Sequence, residues 1–390
     1  MMGLVVRIRI WLVRAGYLLG RLRPMRRRVL LATSHADRIG GNLVFIRDEL
    51  ARTLPGVEVV TLAHRARRGW RGRIEGAIQA VRAGWSLARA RLVILDDYYF
   101  PVYAVRPRGG STIVQTWHAS GAFKKFGHSV GPHSFGADRA LTDRIRIHAN
   151  YDFCLVGSRA SAPQFAEALD IPIERIVSHL GIPRTDLFFD ELAVREAVAD
   201  LRSRLGLGES RRVILYAPTF RGDRVTDARH RDDLDLALLH RVLGDDHVIL
   251  VRLHPFVRSA VRIGPELAGF VVDASAEPDI NRLMLVSEVL ITDYSSAIFE
   301  FALLGRPIGF FAPDLDAYQR ERGFYFDYRA TVPGPVFTET HELATWLRDG
   351  PFDTERVRAF AAASFDVADG RASRRFVDEV VLPALGPPIG

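Results

Sequence analysis

The chain has 390 residues, 48% hydrophobic and 25% charged, with a formal net charge of +7 and a single cysteine. This is a globular composition with material for two domains, and one cysteine excludes an internal disulfide, so the expected compartment is the cytoplasm. The basic excess calls for an anionic partner; with no basic-aromatic nucleic-acid motif present, a membrane surface or a phosphate-rich polymer is expected and nucleic acid is not.

Leu4 to Leu22 is apolar but broken by Arg7, Arg9 and Arg14, so it lacks the roughly 20 uninterrupted apolar residues of a membrane span. The arginines recur through the apolar part, which argues against a cleaved leader. Residues 1–28 form a basic amphipathic segment with two open readings: an anchor on the inner face of the cell membrane, or an ordinary first helix. A second basic cluster follows at Arg65, Arg67, Arg68, Arg71 and Arg73.

Short apolar runs then begin at Val29, Val57, Leu92, Thr112 and Phe153, separated by helical patterns such as Asn42 to Leu50 and Ile74 to Ala90. A second series starts at Val213, Val248, Phe270, Val289 and Ile308. Near-continuous apolar strands alternating with helices predict two doubly wound α/β lobes, because crossover helices cover both faces of a parallel sheet. The expected lobes are 29–205 and 206–390, parted within the charged stretch from Glu191 to Arg212 that carries Gly206 and Gly208, with helices after Glu339. Ligands are expected where strands end at their carboxyl edges, in a cleft between the lobes. Cys154 lies in an apolar run and reads as a buried thiol.

Five loops after these runs carry polar groups. Trp117-His118-Ala119-Ser120-Gly121 follows the run at Thr112; His118 can accept a hydroxyl proton near neutral pH, Gly121 permits close approach, and Lys124 and Lys125 can neutralise phosphate. The bland alternative is a satisfied loop histidine. Arg184 stands at a stiff turn, where it either meets a ligand or pairs with Asp186 on the surface. Pro218 and Thr219 follow the run at Val213. Arg252-Leu253-His254 places two cation-capable residues one position apart, on one side of an extended chain, as a clamp for an anion. Ser295 and Ser296 open a helix and offer hydroxyl and main-chain donors to a diphosphate, or merely cap it. Glu300 lies one turn further along. The pairs Asp96-Asp97, Asp232-Asp233 and Asp245-Asp246 read as solvated or capping carboxylates, and no metal site is expected.

As strings, TWHASGAFKKFG at 116–127, GIPRTD at 181–186, YAPTFR at 216–221, RLHP at 252–255, TDYSSAIFEFALLGRPIGFF at 292–311 and RGFYFDY at 322–328 resemble, in this order, the CDP-glycerol glycerophosphotransferase family of teichoic acid primases and polymerases. The resemblance implies a GT-B-like fold, an acceptor-side first lobe and a second lobe that binds CDP-glycerol, or CDP-ribitol. It implies donor contacts at Trp117 to Gly121, Arg184, Pro218, Thr219, Arg252, Leu253, His254, Ser295, Ser296 and Glu300. Ala119 and Ser120 stand where the family has glycine and threonine, and Glu300 where it has aspartate, which favours another polyol such as ribitol.

The implied reaction is transfer of glycerol phosphate, or a related polyol phosphate, by attack of a hydroxyl of a polyol-phosphate or lipid-linked polymer on the β-phosphorus of CDP-glycerol, releasing CMP. His118 is the expected base; Arg184, Arg252, His254 and the paired serines stabilise phosphate charge, with His254 alternatively the acid. A nucleotide-sugar glycosyltransferase of cell-envelope synthesis and a non-catalytic binder of anionic polymer are the rival readings.

Overall fold

Each apolar run overlaps a parallel strand. In the computed structural model, β1 (Arg26–Thr33), β2 (Glu58–Ala63), β3 (Ala90–Leu95), β4 (Thr112–Gln115), β5 (Phe153–Leu155) and β6 (Ile176–Val177) form one sheet in the order β2-β1-β3-β4-β5-β6. A second sheet has the order β12-β11-β10-β7-β8-β9, from β7 (Arg212–Ala217), β8 (His247–Val251), β9 (Val271–Asp273), β10 (Val289–Thr292), β11 (Ile308–Phe311) and β12 (Val336–Phe337). The structure describes residues 2–65, 67, 69–133, 144–222, 229–231, 233–257 and 261–387, so Arg68 and Asp232 lie outside the described residues. The two-residue strands β6 and β12 are too short to show a period and escape a sequence reading.

Both sheets reverse their winding direction at one place. The first turns between β1 and β3, the second between β7 and β10. Loops leaving adjacent strands in opposite directions open a crevice at the carboxyl edge there. His35 and Asp97 follow β1 and β3, and Thr219 and Asp293 follow β7 and β10.

The chain divides into two compact units, Met1–Ser120 with Ala137–Asp186 and Asp366–Gly390, and Gly121–Gly136 with Leu187–Phe365. The division falls ahead of the Glu191 to Arg212 stretch, because helix Glu191–Arg204 and the glycine turn after it belong to the second unit with β7. Residues 366–390 belong to the first unit: Asp186 accepts the backbone N–H groups of Ala372 and Ser373 at 2.9 and 2.8 Å.

Residues 1–28 are built into the first unit. Helix α1 (Met2–Arg21) buries Val6, Ile10, Val13 and Tyr17, one face at helical spacing. Helix α2 (Gly41–Thr53) follows β1, and helix α3 (Gly69–Arg89) precedes β3 and packs along α1. The two axes approach through glycines: a Cβ on Gly16 would stand 2.1 Å from the Val81 carbonyl oxygen, and one on Gly84 2.0 Å from that of Val13. The other side of α1 leaves Leu4, Ile8, Trp11 and Leu18 exposed, as α3 leaves Trp70, Ile74 and Ile78.

Candidate active site

In the first unit the switch point holds a carboxylate between two imidazoles. Asp97 Oδ2 lies 3.1 Å from His118 Nδ1 and 3.1 Å from His35 Nε2. The expectation of a solvated or capping Asp97 is overturned, since its side chain is 17% exposed while that of His118 is 53% exposed. Burial opposes the charge on Asp97, but the charges and hydrogen bonds of His118 and His35 prevail and hold its carboxyl far below the ordinary range. Burial likewise opposes an imidazolium at His35, and the hydrogen bond and charge of Asp97 outweigh it, so its pKa is raised. Asp96 responds in the other sense: burial, then the neighbouring Asp97 charge, push it up to about 6.

The loop carrying His118 is tied down from several sides. Trp117 is buried and adopts a φ of 51°, a costly conformation for a bulky residue. Its N–H donates to Gln115 Oε1 at 2.9 Å, and its ring stacks on that of His118 with centroids 4.7 Å apart. Asn42, in the first turn of α2, donates from Nδ2 to the carbonyls of Thr116 and Trp117 at 3.1 and 3.0 Å and accepts the Arg184 N–H at 3.0 Å. The Arg184 guanidinium donates to the His118 carbonyl at 2.8 Å, and Asp186 caps the helix at Ala372. Ala119 and Ser120 are buried, and the Ser120 carbonyl accepts from the Gly157 N–H at 2.7 Å.

Gly121 begins the segment that belongs to the second unit. The close approach it permits is that of the Phe299 ring, which a Cβ at Gly121 would meet at 2.5 Å. Beyond it, Lys125 N–H donates to the Gly323 carbonyl and Tyr325 N–H to the Phe123 carbonyl, both at 3.1 Å, so two of the segments singled out in sequence run side by side. Burial, aided by the charge of Arg322, lowers the Lys124 ammonium to about 8.

At the second switch point Asp293 accepts the Thr219 N–H at 2.8 Å and faces Arg221 Nη2 at 3.0 Å. Arg221 donates on to Asp314 at 2.7 and 2.9 Å, and its guanidinium carbon lies 5.0 Å from the Tyr294 ring centroid and 5.1 Å from that of Tyr318. Such a buried, multiply bonded arginine fixes loop positions. The Thr219 hydroxyl is buried and finds no hydrogen-bond partner among the described residues, and Pro218 precedes it at the end of β7. Ser295 Oγ accepts the Ala297 N–H at 3.2 Å, so it does cap the helix, while its own proton stays available to donate. Ser296 at the helix start makes no side-chain cap bond. Glu300, one turn further along, is buried.

Arg252 is buried and turns its guanidinium onto the Leu253 carbonyl. Burial lowers its pKa. His254 packs beside Phe220 and Phe256, centroids 4.7 Å from each, and its Nδ1 accepts the Phe256 N–H at 3.2 Å. A neutral ring bonded in that way carries its proton on Nε2, as a donor. The residues missed in sequence, His35, Asn42, Asp97, Asp293 and Asp314, sit directly after strands or open helices, and position alone was the available signal.

A family model described as CDP-Glycerol:Poly(glycerophosphate) glycerophosphotransferase matches residues 17–382. The chain is 35% identical over 364 residues to a teichoic acid ribitol-phosphate primase of Bacillus spizizenii, covering 93% of this chain and 92% of the relative. It is 33% identical to a teichoic acid poly(ribitol-phosphate) polymerase of the same organism, covering 95% of this chain and 58% of the relative. Among solved structures, the wall teichoic acid polymerase TagF superposes with a TM-score of 0.78 at 24% identity, covering 98% of this chain and 95% of that one. The fold is GT-B-like.

Proposed function

Because the chain belongs to the CDP-glycerol:poly(glycerophosphate) glycerophosphotransferase family, and so is a polyol-phosphate transferase, we propose that it moves ribitol phosphate from CDP-ribitol to a lipid-linked polyol-phosphate acceptor at the inner face of the membrane, releasing CMP. The observation that carries the chemistry is the Asp97–His118 pair at the sheet's carboxyl edge.

With Nδ1–H donated to Asp97, His118 Nε2 is the nitrogen left to take a proton. The acceptor hydroxyl gives that proton to Nε2 as its oxygen bonds to the β-phosphorus. The bond from the β-phosphorus to the bridging oxygen breaks, and CMP departs with that oxygen. In such a transfer, positioning and charge stabilisation do most of the work. Arg184 braces the base through the His118 carbonyl. Ser295, Ser296, Thr219 and His254 Nε2–H supply donors to the diphosphate, with Trp117, Ala119, Ser120, Gly121, Pro218, Arg252, Leu253 and Glu300 shaping the donor site.

Ribitol is preferred to glycerol on the departures at Ala119, Ser120 and Glu300 and on the ribitol-phosphate relatives. Attachment to the membrane is supported by the exposed apolar side of α1, with Trp11 at 66% exposure, and by the arginines beside it. No helix among the described residues is long and apolar enough to cross a membrane.

Incubating the protein with a lipid-linked primer and CDP-ribitol, CDP-glycerol or a UDP-sugar, and weighing the products, tests the reading. Growth by ribitol phosphate with equimolar CMP is expected. Faster growth with CDP-glycerol would replace the donor, and turnover of the UDP-sugar alone would sink the reaction class.

A further inference from the structure

On the first unit a groove of about 510 Å³ is lined by Arg14 and Arg21 of α1, by Arg106, and by Arg144 and Arg146. The five come from three separate stretches of chain, and the lining contains no aspartate or glutamate among the described residues. Arg146 is pinned by Asp170 at 2.8 Å, and Arg14 by the Ala104 carbonyl at 2.9 Å. Guanidinium groups gathered from several segments make a fork-shaped donor set for phosphate oxygens, and the volume suits a head group rather than an acyl chain.

Helical spacing adds the direction from which such a group would come. Arg7, Arg14 and Arg21 recur every seven residues and form one row along α1. Leu4, Ile8, Trp11 and Leu18 form the adjacent row, each between 49% and 66% exposed, and Leu22 continues it just past the helix end at 80%. Leu18 also lines the groove. An arginine row beside an apolar row is the pattern of a helix lying in an interface, its cations at the level of lipid phosphates.

We propose that the groove is a binding site for the phosphomonoester or diphosphate head of a single membrane lipid, whose chains lie along the apolar row of α1. The assignment rests on the membrane part of the reading above and is independent of the transfer chemistry. It adds a stoichiometric site to what would otherwise be a diffuse attraction of a basic surface to anionic lipid.

Arg21→Gln/Arg106→Gln/Arg144→Gln, which keeps the Arg14–Ala104 and Arg146–Asp170 contacts, is compared with the unaltered protein by vesicle co-sedimentation. The vesicles are phosphatidylcholine doped with phosphatidic acid or, at matched surface charge, with phosphatidylserine. The unaltered protein is expected to prefer phosphatidic acid, and the triple variant to lose that preference and about 100-fold in affinity at an unchanged melting temperature. Equal binding to both lipids by the unaltered protein, or an unchanged preference in the variant, overturns the site. Titration with inorganic pyrophosphate separates the sources: binding as tight as to the lipid, undiminished by vesicles, would make it a site for a soluble anion and overturn the lipid assignment. CDP-ribitol affinity is measured on both proteins; if the unaltered protein binds CDP-ribitol yet shows no preference for phosphatidic acid, the groove is wrong and the catalytic reading stands.

Discussion

His118 Nδ1 and Asp97 Oδ2 are 3.1 Å apart, a contact that, in the proposed mechanism, selects which imidazole nitrogen faces the acceptor. His118→Ala should lower kcat by about 100-fold or more with donor affinity retained, because a base acts on the transition state. Asp97→Asn should lower kcat by about 10- to 100-fold with little change in KM, since a positioning group acts through the ring it holds. The double variant should be no slower than His118→Ala. Steady-state CMP release decides it: additive losses would show that Asp97 acts apart from His118.

A pH effect on stability follows from Asp96. Its folded pKa of about 6 lies above the unfolded value near 3.9. A raised pKa contributes stability that is full below the unfolded value and is lost as pH rises through the folded one. Ionised Asp96 therefore weakens the fold above about pH 6, by on the order of 3 kcal/mol. Asp96→Asn should raise the melting temperature by a few degrees at pH 8, and the gain should vanish by pH 4. A constant difference across that range in thermal scans would refute the assignment.

Ser295→Ala/Ser296→Ala should weaken CDP-ribitol binding by about 10- to 100-fold with a nearly unchanged melting temperature, and adding Thr219→Val, at a buried hydroxyl without a partner among the described residues, should weaken it further. Calorimetric titration giving the unaltered affinity for the double variant would remove the serines from the donor site.

Gly121→Ala tests packing rather than chemistry. The added methyl would stand 2.5 Å from the Phe299 ring, and overpacking of this kind costs about 1–3 kcal/mol. Phe299→Leu in the same chain should return part of the loss. A lone Gly121→Ala variant as stable as the original in urea would show that the ring moves aside freely.

Five of the six strands in each sheet were legible, because a parallel strand covered on both faces is apolar throughout. Helix α1 was legible as a helix but not as a structural part: what fixes it is the fit of Gly16 against Val81 of α3 and of Gly84 in α3 against Val13, contacts between residues more than sixty positions apart that leave no periodic trace. His118 could be found from its loop. Asp97 could not be told from Asp96, since adjacent carboxylates after a strand look alike until folding brings two histidines to one of them. The surroundings of Arg252 and His254 were illegible for a related reason: strand alternation ends with β8 at Val251, and the loop beyond follows its own hydrogen bonds.

Asp366 accepts from the Arg159 N–H at 2.8 Å and from the Ser178 hydroxyl at 2.6 Å, and Asp186 caps the helix beginning at Ala372. A ribosome delivers Leu187 to Phe365 before it delivers those partners. The second unit can thus acquire its sheet during synthesis while the first, though translated earlier, waits with α2 and β3 lacking the C-terminal helices that pack on them. Premature termination a few codons upstream of Asp366 would spare the downstream lobe and leave the upstream one unfinished. The half of the protein made first is the half completed last.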